Sequence, residues 1–318
     1  MTSIEAQFID LHPTSKPLAD KANDLFAQGV THASRKMFPY PVYMERGQGP
    51  RKWDVDGNEY IDYKTGHGSM ILGQAHPAVV DAVQSQMANG THLSSGTRME
   101  IKWAETVTRL VPSVEKLRFV SSGTEALMMA FKMARVFSGK DKIIKFAGAF
   151  HGWSDPAFVT DPETDQRYGI PRGTSDSIIN APPHSLDALE AILVARDDVA
   201  AVVFQGNDIA APEFIRGLRE LTAANDVLLI FDEVVSGFRW STAGCQGRYG
   251  ITPDLSAFAK ILAGGLPGGC IGGRADVIDT VGEGGIQHPG TFNANPISAA
   301  AGATALGIVE KDSIVEAA

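Results

Sequence analysis

Two ionisable side chains in this sequence have neighbours that predict a desolvated, reactive group instead of a solvated surface group. Lys260 is the first of them. It lies in residues 257–265 (AFAKILAGG), among apolar and small residues, with no acidic residue close in sequence. Loss of water lowers the pKa of a lysine and frees its amine to attack an aldehyde. A solvated surface lysine is the alternative interpretation, but the apolar neighbours and the glycines that follow weaken it.

Asp232 is the second such residue, because it ends the apolar run 227–231 (VLLIF). A continuous apolar run of this length is typical of a strand buried on both faces. A carboxylate there is costly without a cationic partner. A pyridinium N–H would be such a partner, and the ion pair would keep the ring protonated as an electron acceptor. An acid that caps the next loop explains the same residue equally well.

A possible phosphate site lies in residues 121–126 (SSGTEA), between a predicted strand and a predicted helix. The free N–H groups and the dipole of a helix N-terminus suit a phosphate. Gly123 lets the backbone come close, and the hydroxyls of Ser122 and Thr124 can donate. A helix cap with Glu125 in the first turn is the alternative, and for this segment alone it is the stronger one. The segment matches neither a P-loop nor a dinucleotide fingerprint.

Two further segments could serve a flat, phosphorylated ligand: residues 150–153 (FHGW) and 290–296 (GTFNANP). Phe150 could stack on an aromatic ring, whereas for His151 a buried, hydrogen-bonded histidine is the favoured interpretation. Thr291 precedes a predicted helix, where a threonine usually caps or turns the chain. Its spacing alone does not decide between that role and a phosphate contact.

The elements that would position these residues alternate between strands and helices along most of the chain. An N-terminal helix is predicted over residues 17–29, and a β-hairpin is predicted from 52–55 and 59–62. Strands are predicted at 117–120, 142–146, 199–204, 227–231 and 270–273, and helices at 77–83, 124–137, 214–224 and 296–309. This order predicts an α/β fold with a mostly parallel central sheet and helices on both faces. Ligands of such sheets bind beyond the carboxyl ends of the strands. We expect an N-terminal segment over residues 1–75 and a large ligand-binding domain over 76–318.

The composition of the chain argues against several classes of binding partner. The chain has 318 residues, a net charge of −9 and no clustered basic stripe, which argues against nucleic acid. No apolar run approaches the length of a membrane span, and residues 1–5 do not open a secretory signal. The two cysteines, Cys245 and Cys270, do not make a disulfide framework, so a reduced cytoplasm is predicted. No metal site is predicted.

Taken together, these motifs resemble the class III (subgroup II) pyridoxal-phosphate-dependent aminotransferases, nearest to the branch that contains glutamate-1-semialdehyde 2,1-aminomutase. The likeness runs from residues 43–47 (YMERG) to the last helix. It includes 53–62 (WDVDGNEYID), 122–126 (SGTEA), 232–234 (DEV), Lys260 and 290–291 (GT). The resemblance implies fold type I, the aspartate-aminotransferase-like fold, acting as a homodimer. It also implies that pyridoxal 5′-phosphate, held by Lys260 as a Schiff base, moves an amino group from an amine or amino acid to a carbonyl acceptor.

The resemblance assigns roles to individual residues as well. Gly123 and Thr124 would bind the cofactor phosphate, Phe150 would stack on the ring, and Val234 would pack on its other face. Asp232 would pair with the ring nitrogen. Thr291 would reach the phosphate of the neighbouring subunit, so that each active site would need both chains.

Several residues depart from the family pattern. Gln205 and Gly206 stand where the family usually has Glu-Pro, which predicts a rebuilt loop. The aminomutase usually has a tyrosine at the position of Phe150 and a Ser-Pro segment near residues 33–35 (ASR). These differences favour a general aminotransferase over an intramolecular aminomutase. Arg35 is a candidate for binding a substrate carboxylate, and a surface arginine is the alternative.

The C-terminal end is the largest departure. The family continues into a small domain that helps to close the active site, whereas this chain stops at Ala318. We expect a fragment with exposed apolar surface and weakened substrate binding. A truncated, non-catalytic homologue is therefore an alternative function, although the presence of both Asp232 and Lys260 disfavours it. A nucleotide-binding dehydrogenase is excluded, because no glycine-rich dinucleotide turn follows an early strand.

Overall fold

The computed structural model describes residues 3–159, 168–282 and 284–317. The strands are β1 Met44–Gln48, β2 Arg51–Asp54, β3 Glu59–Ile61, β4 Lys116–Val120, β5 Lys142–Phe146, β6 Ile178–Ala181, β7 Val199–Gln205, β8 Leu228–Asp232, β9 Leu255–Ala259 and β10 Gly269–Gly273. The helices are α1 Ile4–Leu11, α2 Ser15–Leu25, α3 Thr65–Gly68, α4 Pro77–Ala88, α5 Arg98–Leu110, α6 Gly123–Ser138, α7 Asp155–Phe158, α8 Arg172–Asp176, α9 Leu186–Val194, α10 Pro212–Ala224, α11 Gly244–Tyr249, α12 Ala275–Ile278, α13 Pro296–Lys311 and α14 Ile314–Ala317. Short 3₁₀ helices span Ala27–Gly29, Ala33–Arg35 and Lys260–Ala263.

The first structural unit comprises residues up to 65 together with 72–77. It contains an antiparallel sheet in the order β1-β2-β3, which confirms the predicted hairpin: Lys52 pairs with Tyr60 across it. The predicted N-terminal helix is also present, but it ends at Leu25 instead of residue 29. Gln28 has a φ of 58°, outside the helical region, and this conformation is incompatible with a continuous helix.

A buried polar cluster fastens the end of α1 to the hairpin within this unit. The ring nitrogen Nδ1 of His12 donates to the carbonyl oxygen of Phe8 at 2.7 Å, and Nε2 lies 2.6 Å from the Tyr60 hydroxyl. That hydroxyl donates to Oδ2 of Asp54 at 2.7 Å. Burial, followed by the neighbouring Asp54 carboxylate, raises the pKa of Tyr60. The phenol therefore stays protonated as the central donor of the cluster.

The second unit comprises residues 66–71 and the chain from residue 78 onward. Its sheet has the strand order β4-β10-β9-β8-β7-β5-β6. The pairs from β9 to β6 are parallel, and β10 alone runs antiparallel, to both β4 and β9. The predicted mostly parallel sheet is thus confirmed, and β4 points the same way as the parallel strands because two antiparallel pairings restore its direction.

Helices cover both faces of this sheet, as predicted. Along β7, Ala201 and Val203 pack in the same cluster as α6, whereas Val202 and Phe204 pack with α9 and α10. This alternation follows from the two-residue period of a strand. Over β4, β9 and β10, a third cluster brings α5 and α13 together around the buried indole of Trp103.

Several elements were not predicted, among them the strands β1, β6 and β9 and the helices α1, α5 and α9. Strand β9 is fully buried but contains Ser256 and two alanines, so its sequence lacks a long run of large apolar residues. Helix α5 begins with a capping box in which Thr97 and Glu100 bond to each other's backbone. Among the described residues no helix is both long and apolar enough to cross a membrane.

Candidate active site

A cleft with a volume of about 420 Å³ lies at the carboxyl ends of β4, β5, β7, β8 and β9, entirely within the second unit. This is the edge at which parallel α/β sheets bind their ligands. Its lining contains the predicted residues Ser122, Gly123, Thr124, Phe150, His151, Asp232, Val234 and Lys260. Residues from separate parts of the sequence therefore meet at one site, although no sequence pattern connects them.

The Asp232 carboxylate is buried, and both of its oxygens accept hydrogen bonds. Oδ1 accepts the N–H of Val234 at 3.1 Å, so the predicted loop-capping role is present. Oδ2 accepts from Nδ1 of His151 at 2.7 Å. Each carboxylate oxygen has a second lone pair, so Asp232 keeps the capacity to accept a further N–H from a ligand.

His151 supports Asp232 from a fully buried position. Because a carboxylate can only accept, Nδ1 must carry the proton in this hydrogen bond. The expected hydrogen-bonded histidine is thus found for Nδ1, whereas Nε2 is buried and has no hydrogen-bond partner among the described residues. His151 therefore donates one hydrogen bond to the Asp232 carboxylate and orients it.

Lys260 follows β9 directly and begins a 3₁₀ turn with a φ of 55°, in the left-handed region. Burial lowers the pKa of its ammonium, and the nearby Asp232 carboxylate opposes this with a smaller upward effect. The turn is held from outside, because the indole N–H of Trp103 donates to the Leu262 carbonyl at 3.0 Å. Lys260 thus presents a partly desolvated amine near the carboxylate that sequence analysis paired with it.

The N-terminus of α6 forms another wall of the cleft. The Ser122 hydroxyl accepts the N–H of Glu125 at 3.2 Å, so the predicted cap exists, and both Ser122 and Thr124 line the cleft. A Cβ atom at Gly123 would lie 2.9 Å from the nearest methyl carbon of Val234. Only glycine lets the helix start this close to the strand end that carries Asp232.

The loop after β5 carries Phe150, whose side chain is 60% exposed and lines the cleft. Two residues later, Gly152 has a φ of +96°, and a Cβ there would lie 2.7 Å from Oγ1 of Thr124. The loop therefore packs closely against the start of α6 through a residue that sequence analysis did not single out.

A buried acid anchors the backbone next to Asp232. The Glu233 carboxylate accepts the N–H groups of Cys245 at 2.9 Å and Gln246 at 3.0 Å, and it also accepts the Ser236 hydroxyl. Burial raises the pKa of Glu233, and these hydrogen bonds oppose the rise. Its contacts fix the chain between β8 and α11, and thereby the direction in which Asp232 faces.

Two predicted site residues do not line this cleft. Thr291 is exposed, and its carbonyl accepts Nε2 of His92 at 2.6 Å. Arg35 belongs to the first unit, where it is exposed and donates from Nη1 to the Thr31 hydroxyl at 2.9 Å. Conversely, Gln205, Asn207 and Ser69 line the cleft but were not assigned to it. Gln205 ends an apolar run as Asp232 does, so the same signal could have found it.

The chemistry of these residues fits a flat, phosphorylated aromatic aldehyde. The start of α6 suits its anionic group, the Asp232 carboxylate suits a protonated ring nitrogen, and the Lys260 amine suits its aldehyde carbon. The close packing of Gly123 on Val234 and of Gly152 on Thr124 brings these groups around one cleft.

Comparison with known sequences finds matches that agree on one family. The profile of the class-III aminotransferases matches residues 32–318. Glutamate-1-semialdehyde 2,1-aminomutase from Methanothrix thermoacetophila is 40% identical over 311 residues, which are 94% of this chain and 72% of that protein. The enzyme of the same name from Roseiflexus castenholzii is 41% identical over 319 residues, covering 95% of this chain and 74% of that protein.

Solved structures agree with the sequence comparison. An omega-transaminase from Sphaerobacter thermophilus superimposes with a TM-score of 0.88 at 37% identity, covering 93% of this chain and 72% of the other. A glutamate-1-semialdehyde aminomutase from Pseudomonas aeruginosa gives 0.87 at 28% identity, covering 97% and 73%. A transaminase with bound PLP gives 0.89 at 31% identity, covering 95% and 74%. The fold is that of these pyridoxal-phosphate enzymes, as the sequence predicted.

Proposed function

This chain belongs to the class-III aminotransferase family, whose cofactor is pyridoxal 5′-phosphate, and from that premise we propose that Lys260 and Asp232 are the catalytic pair of an aminotransferase. One observation carries the proposal: the amine and the carboxylate line the same cleft, at the ends of the adjacent strands β9 and β8. The Asp232 carboxylate also opposes the lowering of the Lys260 pKa by burial, which supports the pairing.

Each residue of the cleft has a definite task in this proposal. The cofactor supplies an aldehyde that reacts with amines and a ring that accepts electrons. Lys260 would hold the aldehyde carbon, and its amine, once freed by an incoming substrate amine, would act as the general base and acid that moves the substrate Cα proton. Asp232 would accept the ring N–H and keep that nitrogen protonated, while His151 orients the Asp232 carboxylate.

The remaining residues bind and orient. Ser122, Gly123 and Thr124 hold the phosphate at the start of α6, where free N–H groups and the helix dipole favour an anion. Phe150 and Val234 would pack against the ring. Their positions in the cleft lining support these roles.

Replacing Lys260 tests the proposal directly. We expect Lys260→Ala to lose the visible absorbance of the bound cofactor and nearly all turnover, because the amine that binds the aldehyde is gone. The matched control is Lys140→Ala, which removes a half-buried lysine outside the cleft that donates to the Asp226 carbonyl. Unchanged turnover in Lys260→Ala would disprove the assignment.

Two versions of the chemistry are supported by different relatives. The aminomutases at about 40% identity favour an intramolecular transfer on an amino-aldehyde, whereas the omega-transaminase at 37% favours transfer between two substrates. We prefer the two-substrate reaction, because Phe150 and residues 33–35 depart from the aminomutase pattern. Isomerisation of an amino-aldehyde with no external keto acid would favour the aminomutase instead. A non-catalytic homologue is the third alternative, and turnover on either assay would exclude it.

We propose a homodimer in which Thr291 reaches the cofactor phosphate of the partner subunit. Its exposure and its position outside the cleft of its own chain support this role. Mixed dimers of Lys260→Ala chains with Thr291→Val chains provide the test. If Thr291 serves the partner, one site per mixed dimer has both native residues, and activity exceeds that of either parent. No gain on mixing would contradict the proposal.

Arg35 is proposed to bind a substrate carboxylate. Its guanidinium is exposed and uses Nη1 on a neutral hydroxyl, so it keeps donors for a planar anion. We expect Arg35→Leu to raise KM for amino acids and to leave KM for simple amines unchanged. An equal change for both substrate classes would contradict this role.

We also propose a reducing, cytoplasmic location. Cys245 and Cys270 are free and buried, and burial raises the pKa of both thiols. Such thiols react slowly with oxidants, and they form no disulfide. Fractionation of cells that express the tagged full-length protein would test the location.

A further inference from the structure

We propose that Gln205 and Gly206 are positioning residues that hold the Phe150 loop and the Asp232 backbone in place around the cleft. The consequence for the cofactor rests on the proposed function, but the structural claim concerns only this chain. These two residues are the ones that replace the usual Glu-Pro of the family, so the rebuilt segment has a task of its own.

The side-chain amide of Gln205 makes two different hydrogen bonds. Its Oε1 accepts the N–H of Phe150 at 3.1 Å, and its Nε2 donates to Oδ1 of Asn207 at 3.0 Å. The Phe150 N–H fixes which end of the amide carries the oxygen, because a backbone N–H can only donate. A glutamate could accept from Phe150, but it could not donate to Asn207 when ionised.

The Phe150 loop needs such a contact, because the ring of Phe150 is mostly exposed. Packing of that ring in the chain contributes little to fixing the loop. The hydrogen bond from its N–H to Gln205 connects the loop after β5 to the end of β7. Together with the buried His151 and the close packing of Gly152, the Gln205 amide therefore sets the face that Phe150 presents to the cleft.

Gly206 secures the neighbouring strand end. Its N–H donates to the Asp232 carbonyl at 2.8 Å, a bond that a proline at this position could not make. A Cβ at residue 206 would lie 2.3 Å from the Ser236 hydroxyl oxygen and 3.0 Å from the Asp232 carbonyl oxygen. Glycine thus permits a close contact that a larger residue would push apart.

Charge gives a second reason for glutamine. Gln205 and Asp232 are direct partners in the parallel pairing of β7 and β8. A carboxylate at residue 205 would put a second negative charge beside Asp232, and like charges at this distance favour protonation of nearby groups. Because the Gln205 amide is neutral, Asp232 is the one acidic residue among the described residues that line the cleft.

Amide hydrogen exchange of the cofactor-free protein tests the structural claim without any catalysis. We expect Gln205→Leu to speed exchange in the peptide spanning residues 147–153 by roughly tenfold, because one hydrogen bond is lost. Gln205→Glu keeps the acceptor and should change exchange by less than about twofold. Gln86→Leu, which removes a distant amide that donates to Gly90, is the matched control. Equal protection in Gln205→Leu and the wild-type protein would overturn the proposal.

Two measurements with added pyridoxal phosphate test the consequence for the site. We expect Gln205→Leu to weaken cofactor binding by roughly tenfold, since the loop that carries Phe150 is no longer fixed. We expect Gln205→Glu to shift the pH dependence of the visible cofactor absorbance to higher pH, because the added negative charge favours the protonated form. Unchanged affinity and an unchanged pH profile would overturn this part.

The catalytic proposal for Lys260 and the positioning proposal for Gln205 can be refuted independently of each other. If Lys260→Ala stays active while Gln205→Leu speeds exchange, the catalytic assignment is wrong and the positioning contact stands. If Lys260→Ala is inactive while exchange in Gln205→Leu is unchanged, the positioning contact is wrong and the catalytic assignment stands.

Discussion

The hydrogen bond between His151 and Asp232 can be tested by a double-mutant cycle in the cofactor-free protein. Both side chains are almost completely buried, and Nδ1 and Oδ2 are 2.7 Å apart. His151→Leu would leave the Asp232 carboxylate without this donor, and Asp232→Val would leave the His151 N–H without its acceptor. The double variant removes both groups, so its loss of stability should be smaller than the sum of the single losses.

The size of this coupling follows from the burial of the pair. A hydrogen bond to a buried charged group contributes about 1.5–3 kcal/mol, and an unpaired buried charge costs about 3 kcal/mol or more. We therefore expect His151→Leu to lower the free energy of unfolding by about 3 kcal/mol and the coupling energy to be about 2 kcal/mol. His151→Asn should recover about half of the loss, because the asparagine amide can donate from nearly the same position.

Urea unfolding of the apoprotein gives these free energies, and an exposed ion pair of the same unit provides the control. Lys116 and Asp279 form a contact with side chains 52% and 56% exposed, and their coupling should be below about 1 kcal/mol. A coupling between His151 and Asp232 no larger than that of the control pair would refute the reasoning. So would equal stability of His151→Asn and His151→Leu.

Three further predictions concern positions outside this pair. Burial lowers the pKa of Lys145 to about 8 from 10.5, so the unfolded chain binds more protons between those pH values. The stability of the wild-type protein relative to Lys145→Met should therefore rise with pH across that window in urea unfolding; a constant difference would contradict this. Gly152→Ala should lower stability by about 2 kcal/mol more than Gly148→Ala, because both have positive φ but only Gly152 faces Thr124, whereas Gly148 has open space. Thermal unfolding compares the two variants, and equal losses would argue against close packing of the loop on α6. Tyr60→Phe should cost about 1–2 kcal/mol through loss of its buried hydrogen bonds, whereas Tyr63→Phe, with a side chain 89% exposed, should cost almost nothing in the same assay.

Strands of the large domain were predictable from the sequence where a run of apolar residues indicated burial. The run before Asp232 is apolar because β8 is buried on both faces, and a charged residue at its end marks the edge of the sheet. Strand β9 has the same environment, but its serine and alanines hide it, so Lys260 was found from its neighbours and not from its strand. Helix α5 carries a local signal in its own sequence, because Thr97 and Glu100 form a capping box at its start.

Pairings between distant residues could not be derived from local patterns. His151 and Asp232 are 81 positions apart, and no periodicity connects them. The contact of Gln205 with Phe150 is similar, because it depends on β7 lying beside β5. The role proposed for Thr291 would depend on a second chain, so a pattern within one chain can suggest it only through resemblance.

The left-handed backbone conformation of Lys260 lowers local stability at the residue for which we propose a catalytic function. A side chain with a Cβ costs roughly 1–2 kcal/mol in this conformation, whereas glycine adopts it freely. Glycine, which has no side-chain amine, would therefore be the least strained residue in the turn after β9. The surrounding fold, including the Trp103 indole that binds the Leu262 carbonyl, keeps the turn in place in spite of this cost. The backbone thus aims the amine before any ligand arrives, and a variant selected only for thermal stability would be expected to lose it.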